Sequence, residues 1–334
     1  MSKFRILLVT ALVSALVISS CTKDPDPINE AQVLIEYLES DDSPLGKDYV
    51  STDLPSVMAA TELQTLNATS QVYIIDIRSA ADFAAGHIAN AVNVVPADIL
   101  THLEGVANLS TYTKVAVVCY TGQTAGWVTS LLRIMGYDKA YSLKWGMCSW
   151  NSAFASRWNN AVAAGNSQAA QFNATATDKA VAGALPELNT GKTTGQEILE
   201  ARVAAVLAEG FGAASVTNAT VFGALSNYYI VNYWPLAQYN ISHIPGAVQY
   251  TPKESLKLAV DLKTLPTDKP VAVYCYTGQT SAFLSAYLRL IGYDAKSILY
   301  GTNGMIYDIM GANSIAPRFS ATEIQEYTYV TSTK

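Results

Sequence analysis

Two stretches of the sequence are identical: CYTGQT occupies residues 119–124 and again residues 275–280. The offset between them is 156 residues, and the same offset relates His87 to His243. It is expected to hold without an insertion from residue 73 to about residue 143. Solenoid repeats have periods of about 20–50 residues, so a period this long is typical of a duplicated domain. The sequence therefore predicts two copies of one fold.

Short apolar runs alternate with helical patterns in both copies. Residues 72–77 and 115–118 are apolar runs that favour strands buried on both faces. Residues 124–135 carry apolar side chains at helical spacing up to Gly136, and residues 271–273 begin the same pattern in copy two. Alternating strands and helices predict an α/β fold in which each copy is a parallel sheet with helices on both faces. Both repeated cysteines then fall at the carboxyl end of a strand, where ligands bind in such sheets.

Length and composition limit the possible classes of protein. The 334 residues correspond to two domains at about 150 residues each. Half of the residues are apolar and 14% are charged, against about 25% in an average soluble protein, which excludes extensive disorder. The 21 basic and 27 acidic residues give a net charge of −6 without a dense basic run, so we expect no nucleic-acid partner.

The first 21 residues have the pattern of an export signal. Lys3 and Arg5 precede an apolar run at residues 6–18, and small residues lead to Cys21. The run is shorter than the roughly 20 apolar residues of a transmembrane helix. The Ile-Ser-Ser-Cys sequence that ends at Cys21 resembles the lipobox of bacterial lipoproteins, in which this cysteine is lipidated. The resemblance implies a lipid anchor in a membrane of the bacterial cell envelope, the outer membrane, with the folded domains outside the cytoplasm; the alternative is a plain secretory signal with an incidental cysteine.

These patterns divide the chain into five segments. The expected segments are a lipoprotein signal peptide at residues 1–20, a tether at 21–29, domain 1 at 30–159, a linker at 160–192 and domain 2 at 193–330. The tether is rich in Asp and Pro and the linker in Ala, Asn, Gln, Thr and Gly, which favours segments that pack little. Helical patterns at residues 30–39 and 197–209 open the two domains.

Each repeated stretch places a cysteine in a loop between a strand and a helix. In such a loop successive backbone N–H groups turn toward the sulfur, and Gly122 and Gly278 permit the curl. These N–H groups and the positive end of the helix favour a thiolate, so a lowered cysteine pKa is expected. Thr124 and Thr280 are expected to cap the helices and to donate a hydroxyl hydrogen bond into the loop. The alternative, a buried structural cysteine, is disfavoured by the identity of the two stretches.

The two loops supply the candidate site residues. Cys119 and Cys275 are the candidate catalytic nucleophiles, and the residues that follow them are candidate substrate-binding groups. These are Tyr120, Thr121, Gly122, Gln123 and Thr124 in copy one, and Tyr276, Thr277, Gly278, Gln279 and Thr280 in copy two. His, Cys and acidic residues show no metal-ligand cluster in the sequence, so we expect no metal and no organic cofactor.

The ordered set of motifs resembles the tandem rhodanese-like sulfurtransferases. In copy one the set comprises Asp76-Ile77-Arg78, Asp82-Phe83, Gly86-His87-Ile88, Ala91, the Cys119 loop and Gly146. The resemblance implies that a cysteine takes a sulfane sulfur from a small sulfur-containing donor such as thiosulfate, and that a persulfide results. A thiol or cyanide-like acceptor then removes the sulfur. The resemblance also implies mainly structural roles for His87 and His243.

The chain departs from that family pattern in several ways. Copy two has Asn232-Tyr233-Trp234 and Gln238 where copy one has the Asp-x-Arg motif and Asp82, so only copy one is expected to pair Arg78 with Asp82. Both copies keep the cysteine, whereas in many tandem relatives the N-terminal copy lacks it. Thiosulfate-specialised relatives carry basic residues in the loop, and an Arg can stand at the position of Asp82. These departures leave open a non-catalytic binding or redox-sensing module, especially for copy two.

A phosphatase function is disfavoured by the same loops. Related phosphatases have a loop that is one residue longer, with an Arg six positions after the cysteine. Here Ala125 and Ser281 occupy those positions. Neither side chain carries the positive charge that would bind a phosphoryl group.

Three residues outside the loops have other expected roles. Arg133 and Arg289, on the helices that follow the loops, are expected to point into solvent. Cys148, with Ile306 as its counterpart in copy two, is expected to be a packed apolar thiol. The alternative is that Cys148 resolves a persulfide on Cys119 or forms a disulfide.

Overall fold

The computed structural model describes residues 28–332. The predicted signal peptide at residues 1–20 and the predicted lipidation site Cys21 lie outside the described residues. Within residues 28–332, no helix is both long enough and apolar enough to span a bilayer.

Copy one forms a five-stranded parallel sheet. Its strands are β1 (Val57–Met58), β2 (Val72–Asp76), β3 (Val92–Asn93), β4 (Lys114–Val118) and β5 (Ala140–Leu143). They lie in the order β1-β5-β4-β2-β3, and all neighbouring pairs are parallel. Strand β4 is central, with Val117 opposite Ile75 on one side and Ser142 on the other. The loop after β4 therefore starts in the middle of the carboxyl edge of the sheet.

Copy two repeats this sheet. Its strands are β6 (Ser215–Val216), β7 (Tyr229–Asn232), β8 (Val248–Gln249), β9 (Val271–Tyr274) and β10 (Ala295–Ile298). They lie in the order β6-β10-β9-β7-β8, again all parallel. Strand β9 takes the central place that β4 has in copy one. The predicted duplication of a parallel α/β fold is confirmed.

Helices occupy many of the connections between strands. They are α1 (Glu30–Leu38), α2 (Tyr49–Thr52), α3 (Ala60–Ala68), α4 (Ala80–Ala85), α5 (Ile99–Glu104), α6 (Gln123–Ile134), α7 (Met147–Trp150), α8 (Ser156–Ala163), α9 (Gly195–Ala213), α10 (Asn218–Gly223), α11 (Leu236–Tyr239), α12 (Gln279–Leu290) and α13 (Tyr307–Ala312). Helix α6 begins inside the repeated loop, one residue before the predicted start, and α12 begins at the equivalent residue, Gln279. Helix α9 extends beyond the predicted residues 197–209 at both ends.

Helices cover both faces of each sheet. Along β4, Val117 packs in a core with Trp127 of α6, whereas Val118 packs in a second core with Trp150 of α7. Because successive side chains of a strand point to opposite faces, these two cores lie on opposite sides of the sheet. Strand β9 divides its side chains between two cores in the same way. The predicted covering of both faces is confirmed.

The two copies share one continuous core. Helices α6 and α12 pack against each other, and the Ser130 hydroxyl donates to the carbonyl of Phe283 at 2.9 Å. The same hydroxyl lies 2.6 Å from the hydroxyl of Tyr49. Gly126 allows the close approach, because a Cβ there would lie 3.1 Å from the Phe283 ring. The cysteine loops lie at the N-terminal ends of these two helices. Their positions relative to each other are therefore fixed by the packing of α6 on α12.

Each copy is also contacted by the segment that follows the other copy. After copy one, the chain crosses to copy two, where Asn173 pairs with His243. After copy two, the chain returns to copy one, where Val330 pairs with His87. The predicted linker, residues 160–192, thus includes backbone that pairs with copy two. The segment boundaries stay predictions.

The repeat offset changes by one residue before the last strand of each sheet. Val115 pairs with Ala140 in copy one, and its counterpart Val271 pairs with Ala295 in copy two. The central strands therefore keep the offset of 156 residues, but the last strands are related by one residue less. The expectation of an unbroken offset to about residue 143 is wrong, because the turn before β5 is one residue longer than the turn before β10.

The expectation that Arg133 points into solvent is wrong. Arg133 is 5% exposed, and its Nη2 donates to the Asp53 carboxylate at 2.7 Å. The sequence pattern of α6 does not reveal this buried carboxylate, which comes from a distant loop. The same expectation is wrong for Arg289 of α12, whose side chain is 14% exposed and pairs with two carboxylates. These partners, Glu209 and Asp294, are 36% and 51% exposed.

Replacing these two arginines with methionine is expected to have unequal effects. Arg133→Met should lower the free energy of unfolding by about 3 kcal/mol, because it leaves a buried carboxylate without its main partner. Arg289→Met should lower it by less than about 1 kcal/mol, since its carboxylate partners are solvated. Denaturant titrations of both variants measure the difference. Equal losses would contradict this account of the Arg133 ion pair.

Candidate active site

Cys119 lies in a loop of inward-facing N–H groups. It directly follows the central strand β4 and is 5% exposed. Its Sγ accepts hydrogen bonds from the N–H of Gly122 at 3.2 Å and from that of Ala125 at 3.3 Å. Gly122 has a φ of 81°, a left-handed conformation that turns the chain directly into α6. The structure thus places backbone donors around the sulfur.

A second backbone segment, residues 147–148, forms hydrogen bonds to the Cys119 loop. The N–H groups of Met147 and Cys148 donate to the carbonyls of Cys119 and Tyr120, at 2.8 and 3.1 Å. Gly146, just before this segment, has a φ of 60°, and a Cβ there would lie 2.4 Å from the Cys119 carbonyl oxygen. A glycine is therefore required for the two segments to approach this closely.

Neither of the predicted capping threonines caps its helix. The N-caps of α6 and α12 are Gly122 and Gly278, and neither helix has a side-chain cap. Thr124 and Thr280 are the second residues of their helices, so the expected capping role is wrong. The left-handed glycines occupy the capping positions instead. Thr124 instead lines the cavity beside Cys119.

Burial controls the acidity of Cys119. Burial raises the pKa of its thiol, the N–H groups of Ala125, Thr121 and Gly122 lower it, and the net direction is upward. The expected lowered pKa is therefore wrong for Cys119. The cause is that its sulfur belongs to the buried core between β4 and α6, where the charged form loses hydration.

The raised pKa predicts how the reactivity of Cys119 depends on pH. Because the thiolate is the reactive form, the alkylation rate at Cys119 should rise about tenfold per pH unit between about pH 7 and pH 9. The rise continues until the pH exceeds the thiol pKa. Iodoacetamide labelling of the Cys275→Ser protein, followed by mass spectrometry, measures this rate. A rate that is already constant at neutral pH would show a lowered pKa and contradict the account.

The charged groups beside Cys119 are not paired as expected. The Nη2 of Arg78 lies 2.6 Å from the carboxylate of Asp76, and both side chains are buried. Asp82 instead accepts hydrogen bonds from the hydroxyls of Ser79 and Tyr120, each at 2.7 Å, which lower the pKa of its carboxyl. The expected pair of Arg78 with Asp82 is wrong because Asp76, at the end of β2, lies closer to the guanidinium.

A cavity of about 210 Å³ opens beside Cys119. Its lining includes Asp82, Tyr120 and Arg157 of α8. The Arg157 guanidinium lies over the Tyr120 ring, 4.0 Å from the ring centroid. Sequence reasoning missed Arg157, which lies after the repeated stretches. The one feature of the sequence that distinguishes Arg157 is that it is the single charged residue of α8.

A larger cleft of about 380 Å³ adjoins this cavity and reaches copy two. Thr121 and Arg157 line both spaces. Phe211 and Tyr300 of copy two form part of the far wall. Access to the copy-one site is therefore shaped by both copies.

Cys275 occupies the matching position after β9 and is 2% exposed. Its Sγ accepts the N–H of Ser281 at 3.3 Å, and its thiol donates to the Ser281 hydroxyl at 3.5 Å. The hydroxyl of Thr277 lies 4.0 Å from the same sulfur. Copy one has Ala125 in the place of Ser281. The surroundings of the Cys275 sulfur are therefore richer in hydroxyl groups.

Neutral side chains replace charged ones in copy two. Trp234 stands where copy one has Arg78, and it stacks on Tyr276 with ring centroids 5.0 Å apart and an interplanar angle of 11°. The Tyr276 hydroxyl donates to Gln238, which stands where copy one has Asp82. The two sites therefore have the same loop sequence but different charges around it.

Gln123 and Gln279 connect each loop to the opposite copy. The Gln123 Oε1 accepts the N–H of Tyr300 at 2.7 Å, and the Gln279 Oε1 accepts the N–H of Trp145 at 3.3 Å. Tyr300 and Trp145 precede the glycine that lies under each cysteine loop. The side chains of both predicted substrate-binding glutamines are thus engaged across the interface between the copies.

The two histidines of the repeated motif bind backbone groups. The Nδ1 of His87 lies 2.8 Å from the carbonyl of Phe83, and the Nδ1 of His243 lies 2.8 Å from that of Tyr239. Each imidazole stacks on the ring of the same partner. These contacts fit the structural role that the resemblance implies. In the part of the chain that the structure describes, no three His, Cys, Asp or Glu side chains come together as a metal site.

Cys148 is fully buried in an aromatic cluster. Its N–H donates to the carbonyl of Tyr120 as the N–H of Asn303 donates to that of Tyr276, so its counterpart is Asn303 and the expected Ile306 is wrong. Its thiol donates to a backbone carbonyl at 3.1 Å, and burial raises its pKa to about 12. These contacts fit the predicted packed thiol.

Two curated relatives match one copy-sized stretch each. The thiosulfate sulfurtransferase GlpE of Shewanella oneidensis is 32% identical over 96 residues, which are 29% of this chain and 92% of that protein. The thiosulfate sulfurtransferase GlpE of Tolumonas auensis is 30% identical over 83 residues, which are 25% of this chain and 76% of that protein. These likenesses support a sulfurtransferase at the level of the family.

Two solved structures are similar to parts of this chain. SseA from Escherichia coli, described as a 3-mercaptopyruvate sulfotransferase, is 20% identical and covers 75% of this chain and 98% of its own, with a TM-score of 0.27. The human single-domain sulfurtransferase TSTD1 is 23% identical and covers 26% of this chain and 88% of its own, with a TM-score of 0.23.

The model of the rhodanese-like domain matches the chain twice, at residues 59–153 and 229–305. The two matches make up just over half of the chain, and each contains one cysteine loop. The chain therefore belongs to the rhodanese-like domain family and carries two copies of the domain.

Proposed function

We propose that this protein is a sulfurtransferase that carries a sulfane sulfur on Cys119, with Cys275 as a second site. The observation that carries the proposal is the position of the Cys119 Sγ, within 3.3 Å of two backbone N–H groups at the carboxyl end of the central strand. Such donors stabilise negative charge on a sulfur without needing to move. The family membership supports the same chemistry.

With thiosulfate as the donor, the transfer takes two steps. The Cys119 thiolate attacks the outer sulfur of thiosulfate, the S–S bond of the donor breaks, and sulfite leaves with the electron pair. Cys119 is then a persulfide. A thiol or cyanide-like acceptor attacks the terminal sulfur and releases the Cys119 thiolate. Neither step needs an oxidant or reductant besides the donor and the acceptor, so the proposal includes no metal and no organic cofactor.

The loops supply the groups that bind the transferred sulfur. We assign this role to residues 120–124 in copy one and 276–280 in copy two. In copy one the N–H of Gly122 donates to the Cys119 sulfur, and in copy two the hydroxyl of Thr277 lies 4.0 Å from the Cys275 sulfur. The side chains of Gln123 and Gln279 hold the interface between the copies. The glutamines would therefore act on the site by positioning the loops.

For copy two, a binding or redox-sensing module is the second candidate function. The neutral residues Trp234 and Gln238 favour it, because they stand where copy one has the charged residues Arg78 and Asp82 that line the cavity beside Cys119. A binding module would recognise a partner without turnover. A redox sensor would change its state when Cys275 is oxidised.

Thiocyanate production tests the proposal. The protein is incubated with thiosulfate and cyanide, and thiocyanate is measured over time beside the Cys119→Ser and Cys275→Ser proteins. Production that depends on Cys119 supports the proposal, and any share that depends on Cys275 assigns turnover to copy two. An absence of transfer with thiosulfate, mercaptopyruvate and polysulfide would instead favour the binding module.

A lipid anchor on Cys21 is proposed from the sequence of residues 1–21. It would attach the protein to the outer membrane of the cell envelope, with both copies outside the cytoplasm. A bacterial host expressing the Cys21→Ser protein should lose the protein from its membrane fraction. Equal membrane recovery of the original and the Cys21→Ser protein would contradict the anchor.

A further inference from the structure

We propose that the copy-one site takes its sulfur from the persulfide of a small α-amino acid, held by Arg157 at its carboxylate and by Asp82 at its ammonium group. This inference rests on the proposed function, because it names the donor of the persulfide on Cys119. The evidence is a pair of opposite charges that line one cavity with Cys119 and that are not paired with each other.

Asp82 supplies the negative charge. Its Oδ2 accepts from Ser79 and its Oδ1 from Tyr120, each at 2.7 Å, and the carboxyl has a lowered pKa, so it is ionised at neutral pH. Each carboxylate oxygen can accept a further hydrogen bond. Within residues 28–332, the Asp82 carboxylate forms no ion pair. It therefore has capacity for a cationic ligand.

Arg157 supplies the positive charge. Its guanidinium lies 4.0 Å from the centroid of the Tyr120 ring, and none of the carboxylates in the described part of the chain pairs with it. A guanidinium without a carboxylate partner can donate two parallel hydrogen bonds to the carboxylate of a ligand.

The charge of Arg78, the other charged side chain of the cavity, is balanced by Asp76, although its buried Nη1 has no hydrogen-bond partner in the described part of the chain. Arg78 is bound to Asp76 through two nitrogens, with the closest contact at 2.6 Å. The cavity therefore has one free cation, Arg157, and one free anion, Asp82. A zwitterion matches both charges, whereas a dianion such as thiosulfate gains from Arg157 but is repelled by Asp82. The 210 Å³ of the cavity limits the ligand to a small molecule.

The sulfur transfer from such a donor balances without a co-reactant. The Cys119 thiol first loses its proton to water. The thiolate then attacks the terminal sulfur of the amino-acid persulfide, the S–S bond of the donor breaks, and the electron pair leaves on the thiolate of the amino acid. Cys119 carries the terminal sulfur and its hydrogen, and the departing thiolate takes up a proton from water.

Copy two lacks the negative charge of this pair. Gln238 replaces Asp82, and Trp234 replaces Arg78 and stacks on Tyr276. A zwitterionic donor would find no carboxylate at the position of Gln238. The two copies therefore differ in donor preference even though their loops are identical.

The test uses four persulfides and the Cys275→Ser protein, so that only the copy-one cysteine is loaded. The donors are the persulfides of L-cysteine, N-acetyl-L-cysteine, L-cysteine ethyl ester and 2-mercaptoethanol. Loading is measured by intact mass over time, and peptide mapping assigns the gained sulfur to Cys119 or to Cys148. The rate with each of the other donors is divided by the rate with 2-mercaptoethanol persulfide, which has neither a carboxylate nor an ammonium group. The division removes effects on the cysteine itself.

Each variant is expected to change two of the three ratios. Arg157→Gln should lower the ratios for L-cysteine and N-acetyl-L-cysteine by about tenfold, because both donors carry a carboxylate. Asp82→Asn should lower the ratios for L-cysteine and its ethyl ester by about tenfold, because both carry an ammonium group. Arg318→Gln is the matched control, since Arg318 also stacks on a tyrosine, 4.0 Å from its ring centroid, but does not line the cavity.

Three outcomes would overturn the inference. Equal changes of all three ratios in both variants would show that Arg157 and Asp82 do not bind the charged groups of the donor. The proposed persulfide on Cys119 would not be contradicted by this result. A response to Arg157→Gln alone would assign the site to simple anions. If no donor loads Cys119, the proposed function fails and this inference fails with it.

Discussion

Replacing Cys119 with serine in the Cys275→Ser protein is expected to lower the rate of sulfur transfer by a factor of about 1,000 or more, the scale of nucleophile removal in other enzymes. A serine hydroxyl at this position cannot form a persulfide, whereas the N–H groups of Gly122 and Ala125 would remain in place. Thiocyanate production from thiosulfate and cyanide measures the loss. The Cys119→Ser protein alone should keep only the share of activity that Cys275 supplies.

Cys148→Ala is the matched control for this experiment. Its thiol is fully buried, and its raised pKa of about 12 keeps it protonated at neutral pH. The Cys148→Ala protein should therefore keep its sulfur-transfer rate. A comparable loss in Cys148→Ala and Cys119→Ser proteins would show that Cys148 takes part in the transfer, as in the alternative of a resolving thiol.

Gly146→Ala is expected to lower the free energy of unfolding by about 4 kcal/mol or more, through left-handed strain and overpacking together. The residue has a φ of 60°, and an added Cβ would lie 2.4 Å from the carbonyl oxygen of Cys119 and 2.5 Å from the carbonyl carbon of Tyr120. Both neighbours are backbone atoms of the cysteine loop, so the loop would have to move. Denaturant titration measures the stability, and loss of sulfur transfer at Cys119 should accompany it.

Two other glycines make this prediction sharper. Gly301→Ala should have the same effect on copy two, because its Cβ would lie 2.4 Å from the carbonyl oxygen of Cys275. Gly191 has a similar φ of 70° but nothing within 4 Å of an added Cβ. Gly191→Ala should therefore cost only the backbone strain, about 1–2 kcal/mol. If Gly146→Ala costs no more than Gly191→Ala, the close support of the cysteine loop is not a source of stability.

The fold could be predicted from the sequence because its central elements carry strong patterns. The apolar runs that become β2, β4 and β9 cross the middle of each sheet, where both faces are buried. The edge strands β1 and β6 are only two residues long, so they have no periodic pattern to detect. The single-residue change in the repeat offset was equally hidden, since it lies in a turn.

The cysteine loops could be predicted, but their surroundings could not. Arg157 comes from α8, outside the repeated motifs, and reaches the site only through packing. The sequence does not decide the partner of Arg78, because Asp76 and Asp82 are both near it in the chain. The structure shows that the Asp76 carboxylate lies at the guanidinium. The direction of the Cys119 pKa depends on how deeply the sulfur is buried, which the motif does not determine.

The most direct test of the central claim is the intact mass of the protein after incubation with thiosulfate, followed by peptide mapping. The account predicts a gain of one sulfur atom on the peptide that contains Cys119, and its loss after cyanide is added. The same gain should be absent at that peptide in the Cys119→Ser protein. A protein that gains no sulfur from thiosulfate, cysteine persulfide or polysulfide, or that gains it only at Cys148, would contradict the account.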